Sequence, residues 1–148
     1  MQQELLKQIL TEQRTNILKK ETGTEREILP YVGKKLPLPH VLVITGLRSC
    51  GKSTLLRQII KTYFKDSDFY YLNFEDERFL NFEASQFNLI YETMIELFGQ
   101  KNTFLIDEIQ NIENFDSFVR RFYEQGFKFI VTGSNARLLS NEISTRLT

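Results

Sequence analysis

The sequence predicts a three-layer α/β fold in which a parallel β-sheet is covered by helices on both faces. Short, near-continuous apolar runs are typical of strands that are buried on both sides. These runs alternate with longer segments whose apolar residues recur at helical spacing, an alternation that favours parallel strands joined by helices. The third observation is a glycine-containing octet between the first run and the helix-compatible segment that follows it. The predicted strands are Val41–Thr45, Phe69–Phe74, Thr103–Ile106 and Phe127–Val131.

Helical periodicity predicts the segments between and around these strands. They span about residues 4–20, 53–64, 83–98, 115–125 and 136–147. Residues 4–20 carry a single apolar stripe, which either packs on the domain's own core or forms a docking surface for a neighbouring subunit. We divide the chain into an N-terminal helical segment, residues 1–36, and a core, residues 37–148.

Composition limits the classes of function. The chain has 148 residues, enough for one domain, and its 19 basic residues equal its 19 acidic ones, so no global positive field supports nucleic-acid binding. The single cysteine, Cys50, excludes an internal disulfide and a cysteine zinc cluster, which fits a reducing compartment. Since no apolar run approaches 18 residues, we expect no membrane span and a cytoplasmic location.

The octet Gly46–Ser53 fits the phosphate-binding pattern G-x-x-x-x-G-K-[ST] at every fixed position. Its glycines permit a turn whose backbone N–H groups surround a phosphate, its lysine reaches the β and γ phosphates, and its hydroxyl binds Mg²⁺. These roles fall to Lys52 and Ser53. The residues expected to contact the nucleotide are Gly46, Arg48, Ser49, Cys50, Gly51, Lys52, Ser53 and Thr54.

Two members of the octet leave alternatives open. Arg48 either pairs with phosphate or a neighbouring acid, or faces solvent. Cys50 is either a small tolerated side chain or, since it lies beside Lys52 near a helix N-terminus, a thiol open to modification.

An acidic pair, Asp107-Glu108, follows the third predicted strand. A carboxylate at the tip of a buried strand beside the phosphate loop is the expected second Mg²⁺ ligand, a role that falls to Asp107. The next carboxylate, Glu108, can orient or deprotonate a water in line with the γ-phosphate. Its alternative role is a surface or helix-capping acid.

Polar residues follow the fourth predicted strand, and a separate acidic loop follows the second. Thr132, Ser134 and Asn135 can hydrogen-bond the γ-phosphate or the attacking water if this strand lies between the first and third; we favour Ser134 or Asn135. The catalytic set is thus predicted to be Lys52, Glu108, Ser134 and Asn135. The loop 75–78 is either a solvated turn or an edge of the nucleotide pocket.

Taken together, these motifs resemble a family of prokaryotic AAA-type ATPases. The resemblance rests on Gly46–Leu56, Asn73–Asp76, Asp107–Gln110, Thr132–Leu139 and Ser144–Thr148. It implies a P-loop NTPase core of the additional-strand type, with the fourth strand between the first and third and a fifth strand downstream. It also implies ATP and Mg²⁺ as ligands, Glu108 as the catalytic acid, oligomerisation, and a C-terminal domain of unknown function.

The sequence departs from the family pattern at its end. The family's usual Gly-Arg pair and the fifth strand would follow Thr148, so we expect a truncated ATPase core that is weakly active or inactive alone and that forms homo-oligomers through a missing C-terminal part. Without an Asn-Lys-x-Asp motif, a GTPase is disfavoured. The predicted function is an ATP-binding, ATP-hydrolysing core that couples nucleotide state to conformational change; the alternative is a nucleotide-gated interaction switch with negligible turnover.

Overall fold

A parallel four-stranded sheet forms the centre of the molecule. The computed structural model describes residues 1–19, 27–45, 49–64 and 68–134, excluding the side chains of Ser49 and Cys50. Every strand pair in this part of the chain is parallel, and the order across the sheet is β1-β4-β3-β2. The strands are β1 (Leu42–Ile44), β2 (Tyr70–Asn73), β3 (Thr103–Asp107) and β4 (Lys128–Thr132).

Within the described ranges, five α-helices cover this sheet. Short 3₁₀ helices, Glu77–Phe79, Ala84–Gln86 and Ile109–Asn111, occur in the connections. The α-helices are α1 (Gln3–Lys19), α2 (Leu29–Lys35), α3 (Ser49–Tyr63), α4 (Phe87–Phe98) and α5 (Phe115–Glu124). Glycines follow α4 and α5: Gly99 at φ 81° and Gly126 at φ 96° adopt the positive φ that non-glycine residues avoid.

Alternation along the strands separates the core into two layers. In β3, Phe104 and Ile106 pack with residues of α1, α4 and α5, whereas Leu105 packs with residues of α2 and α3. Successive side chains of a strand point to opposite faces. The observed three-layer α/β fold, with β4 between β1 and β3, confirms the predicted fold class.

Aromatic rings fill the layer on the α4–α5 side. Phe104 is fully buried; its ring centroid lies 5.1 Å from that of Tyr70, 5.4 Å from Phe87 and 5.2 Å from Phe129. Aromatic pairs at such distances stabilise a core beyond the contribution of buried area. This aromatic layer packs against one face of β3, the strand that ends at Asp107.

Helix α1 covers the free edge of β2. Its residues Leu6, Ile9 and Leu10 belong to the same core as the sheet, which is the first of the two roles considered for this stripe. Gln13 completes the contact: Asn73 N–H donates to its Oε1 at 2.9 Å, and its Nε2 donates to Asn73 O at 3.0 Å. These bonds satisfy backbone groups that an edge strand otherwise leaves open to another chain.

The acidic loop after β2 is tied to α1. Asp76 accepts two hydrogen bonds from the Arg78 guanidinium, at 3.0 and 2.8 Å, and Arg78 also pairs with Glu12 on α1 at 2.8 Å. Asp76 additionally accepts from Gln13 at 3.3 Å. The loop therefore helps to hold α1 against β2, a role beyond the solvated turn and the pocket edge predicted for it.

Several predicted features lie outside the described residues. They are the phosphate-loop residues 46–48 and everything after Ser134, including the helical segment 136–147.

Candidate functional site

The candidate site lies where the carboxyl ends of β3 and β4 meet the first turns of α3. Parallel strands place their carboxyl ends at the same edge of a sheet, which is where open α/β sheets bind ligands. Asp107 ends β3, Thr132 ends β4, and α3 begins at Ser49 directly after the glycine loop. The topology therefore brings Ser53 into contact with Asp107, 54 positions away, and Lys52 into contact with Ser134, 82 positions away.

Lys52, Glu108 and Ser134 form a closed polar cluster. Lys52 Nζ lies 2.7 Å from Glu108 Oε1 and donates to Ser134 Oγ at 3.0 Å. Ser134 Oγ in turn donates to Glu108 Oε2 at 2.7 Å. The Lys52 and Glu108 side chains are 0% and 4% exposed, so each charge depends on the other for stabilisation away from water.

Asp107 forms a second cluster beside the first. Its Oδ1 accepts from Thr132 Oγ1 at 2.5 Å, and its Oδ2 accepts a short hydrogen bond from Ser53 Oγ. Tyr71 OH approaches the same Oδ2 at 3.5 Å. Asp107 is thus held by hydroxyl groups from α3, β4 and β2.

Thr132 links the two clusters. Its Oγ1 accepts from the backbone N–H of Glu108 at 3.0 Å while donating to Asp107. This bond accompanies an unusual backbone conformation, since Glu108 has φ 54° and ψ 51°. A left-handed conformation is uncommon outside glycine and clusters at functional sites, and here it ends β3 and directs the chain into the 3₁₀ helix Ile109–Asn111.

Gln110 makes a further contact with Glu108. Its Nε2 donates to Glu108 Oε2 at 2.5 Å. The Glu108 carboxylate therefore interacts with Lys52, Ser134 and Gln110. Sequence reasoning gave Gln110 no role, although it is part of the Asp107–Gln110 motif.

Comparison with known proteins now decides the family. A family model described as an AAA domain matches residues 39–148. The chain belongs to the AAA-type P-loop ATPase family.

Two uncharacterized proteins are similar to this AAA domain. One, from Methanocaldococcus jannaschii, is 45% identical over 113 residues, which cover 76% of this chain and 25% of the relative. The other, from Haemophilus influenzae, is 34% identical over 114 residues, which cover 72% of this chain and 28% of the relative. The chain therefore spans about a quarter of the length of these curated relatives.

The AAA domain offers a suitable ligand set for Mg²⁺. Ser53, Asp107 and Thr132 supply only hydroxyl and carboxylate oxygens, the donors that this hard cation prefers. Within the described ranges no group of three or more His, Cys, Asp or Glu residues could hold a metal. Few protein ligands are expected for Mg²⁺ at a nucleotide site, because phosphates and waters complete its coordination.

Burial and hydrogen bonding shift the pKa values of the two acids in opposite directions. Burial raises the pKa of Asp107 above its ordinary value, although the bonds from Ser53 and Thr132 oppose that rise. Burial also acts to raise the pKa of Glu108, but the bonds from Lys52, Gln110 and Ser134 outweigh it and hold that pKa below its ordinary value. Glu108 is thus the more strongly stabilised anion.

Predicted site residues that the structure describes converge in space. Lys52, Ser53, Asp107, Glu108 and Ser134 lie within two adjoining hydrogen-bonded clusters. Gly51 and Thr54 lie in the first turns of α3, buried and half-buried respectively. Gly46, Arg48 and Asn135, with the side chains of Ser49 and Cys50, lie outside the described part.

No helix in the described ranges is long and apolar enough to cross a membrane.

Proposed function

We propose that this chain binds ATP with Mg²⁺ and hydrolyses it, and that it couples nucleotide state to conformational change. Membership of the AAA family supports nucleotide binding. The observation that carries the hydrolytic part is the position of Glu108, whose carboxylate lies 2.7 Å from Lys52 Nζ. A carboxylate next to the phosphate-neutralising lysine is within reach of water approaching the terminal phosphate.

In this proposal Lys52 neutralises charge on the β and γ phosphates, and the backbone N–H groups at the start of α3 hold phosphate oxygens. Ser53 and Asp107 are the residues that would hold Mg²⁺, which neutralises developing phosphate charge when bound. Glu108 accepts a proton from water as the water oxygen bonds to the γ-phosphorus and the bond from that phosphorus to the β–γ bridging oxygen breaks, which releases ADP and inorganic phosphate.

In this proposal, ATP binding separates the Lys52–Glu108 pair. Glu108 and Ser134 engage two of the three N–H groups of Lys52 Nζ, so a phosphate and the Glu108 carboxylate compete for the lysine charge. Phosphate oxygens compensate the ammonium in place of Glu108, which releases the carboxylate to engage water. Ser134, bonded to both, is the described residue best placed to report this exchange; Asn135 remains a second predicted reporter.

The same pairing favours a second candidate, a nucleotide-gated switch with negligible turnover. Glu108 held by three donors is a poor base until they are removed. In that case α1 and the residues that it contacts at the β2 edge are a candidate docking surface for a partner that responds to the nucleotide state.

Turnover of Mg²⁺-ATP by the complete gene product, as wild type and as Glu108→Gln, separates the two functions, because a truncated core that is inactive alone would not distinguish them. Hydrolysis that falls at least about a hundredfold in Glu108→Gln, with nucleotide binding retained, supports the ATPase and its base. Binding without measurable turnover in either protein supports the switch. Undiminished hydrolysis in the variant contradicts the role of Glu108.

A further inference from the structure

Only one end of the Gln110 side-chain amide has a hydrogen-bond partner among the described residues. Its Nε2 donates to Glu108 Oε2 at 2.5 Å, whereas its Oε1 is buried and has no hydrogen-bond partner among the described residues. A buried acceptor without a partner is destabilising. Rotating the amide by half a turn would bring its oxygen against the Glu108 carboxylate, so the donor must face Glu108.

Gln13 shows how a structural glutamine in this molecule is held. It uses both ends of its amide, accepting from Asn73 N–H and donating to Asn73 O. Gln110 does not follow this pattern, since its Nε2 donates to the Glu108 carboxylate and its Oε1 has no partner among the described residues. This contrast indicates that the side chain positions the carboxylate rather than the backbone around it.

We propose that Gln110 is a positioning residue that holds Glu108 on Lys52 and thereby lowers the affinity of the site for ATP. The inference rests on the proposed function, because it matters only if phosphate competes with Glu108 for Lys52. Gln110, Lys52 and Ser134 all donate to the same carboxylate. Removing one of the three weakens the paired arrangement that ATP must disrupt, and it leaves the phosphate-binding groups unaltered.

The backbone on either side of Gln110 explains how the Glu108 carboxylate can leave Lys52 without unfolding of the domain. Glu108 adopts a left-handed conformation, and the 3₁₀ helix that carries Gln110 follows it immediately. Asn111 then anchors this short helix, because its Nδ2 donates to Phe74 O at 3.1 Å. Gln110 is therefore fixed at its backbone, so its hydrogen bond favours the position of the carboxylate against Lys52.

The test is a double-mutant cycle measured as affinity for a non-hydrolysable ATP analogue with Mg²⁺. Gln110→Met keeps the length of the side chain and removes the donor. We expect it to tighten binding roughly five- to tenfold, because hydrogen bonds to charged groups are among the stronger ones. In a Glu108→Ala background the same change should alter the affinity less than about twofold, because no carboxylate remains to be held.

Gln8→Met is the matched control, since exposed Gln8 Nε2 also donates to a glutamate, Glu12, at 3.1 Å. It should leave affinity unchanged. Thermal unfolding checks that each variant folds, and Glu108→Leu, which also lacks an acceptor, replaces Glu108→Ala as background if that variant does not fold.

Two results overturn the inference while leaving the proposed function standing. One is wild-type binding that is abolished by Lys52→Ala but unchanged by Gln110→Met. The other is a Gln110→Met effect of equal size with and without the Glu108 carboxylate, which would mark a general structural role. Failure of the wild-type chain to bind the analogue overturns the proposed function itself, and the inference with it.

Discussion

Replacing Glu108 by glutamine should lower the free energy of unfolding and raise the affinity for ATP. The Lys52 Nζ to Glu108 Oε1 distance is 2.7 Å and both side chains are buried. At an effective dielectric constant of about 20, two unit charges at this separation attract by roughly 6 kcal/mol before desolvation is counted. Removing one partner of a buried pair typically costs about 3–5 kcal/mol.

Glutamine keeps the shape and an acceptor oxygen, so we expect a smaller loss of about 1–3 kcal/mol in the free energy of unfolding. For a chain of this size that corresponds to a fall in Tm of roughly 2–12 °C. ATP then has no carboxylate to displace from Lys52, and its Kd should fall about tenfold. At saturating ATP this adds about 1.4 kcal/mol of stabilisation relative to wild type.

Thermal unfolding across a Mg²⁺-ATP titration measures both effects in one assay. Glu96→Gln is the matched control, because Lys7 Nζ lies 2.9 Å from Glu96 but the side chains of this pair are 28% and 53% exposed. It should change stability by less than about 1 kcal/mol. A Glu108→Gln protein with the Tm and the ATP affinity of wild type would refute the competition between phosphate and Glu108.

Three further predictions concern the scaffold. Gln13→Ala removes both bonds to the β2 edge and should destabilise by about 1–3 kcal/mol, whereas exposed Gln8→Ala should have little effect; denaturant titration compares them. The side-chain hydrogen bond from Arg78 holds the pKa of Asp76 below its ordinary value. The contribution of the Asp76 carboxylate to the free energy of unfolding is therefore present above about pH 4 and is lost as pH falls through the folded-state pKa. The Tm difference between wild type and Asp76→Asn, measured from pH 7 to pH 3, should therefore narrow below about pH 4; a constant difference argues against this charge effect. Phe104→Leu should cost about 1–3 kcal/mol by thermal unfolding, since it leaves space among closely packed rings, and a neutral result would mean that the cluster repacks.

Periodicity accounts for most of what could be predicted about the fold. Strands buried on both faces alternate with amphipathic helices, and this local signal defined β2, β3, β4, α4 and α5 to within a few residues. The position of β4 between β1 and β3 came from resemblance. The contact of α1 with the β2 edge could not be foreseen, because Gln13 is a polar residue that pairs with a backbone 60 positions away.

The candidate site was foreseen in membership but not in its pairings. The motifs placed Lys52, Asp107 and Glu108 at one edge of the sheet, and the structure brings them together. Which side chain each one contacts depends on rotamers and on the left-handed backbone at Glu108, which sequence spacing does not specify. For the same reason the contact between Gln110 and Glu108 was not predicted.

Direct measurement of ATP binding by wild type and Lys52→Ala tests the central claim. Isothermal titration with Mg²⁺-ATP should show one site in wild type and a loss of affinity of at least about a hundredfold in Lys52→Ala, because a phosphate-neutralising charge is removed. Lys61→Ala, an exposed lysine on the same helix, should bind as wild type does. Equal ATP affinity in wild type and Lys52→Ala would contradict the assignment of this site.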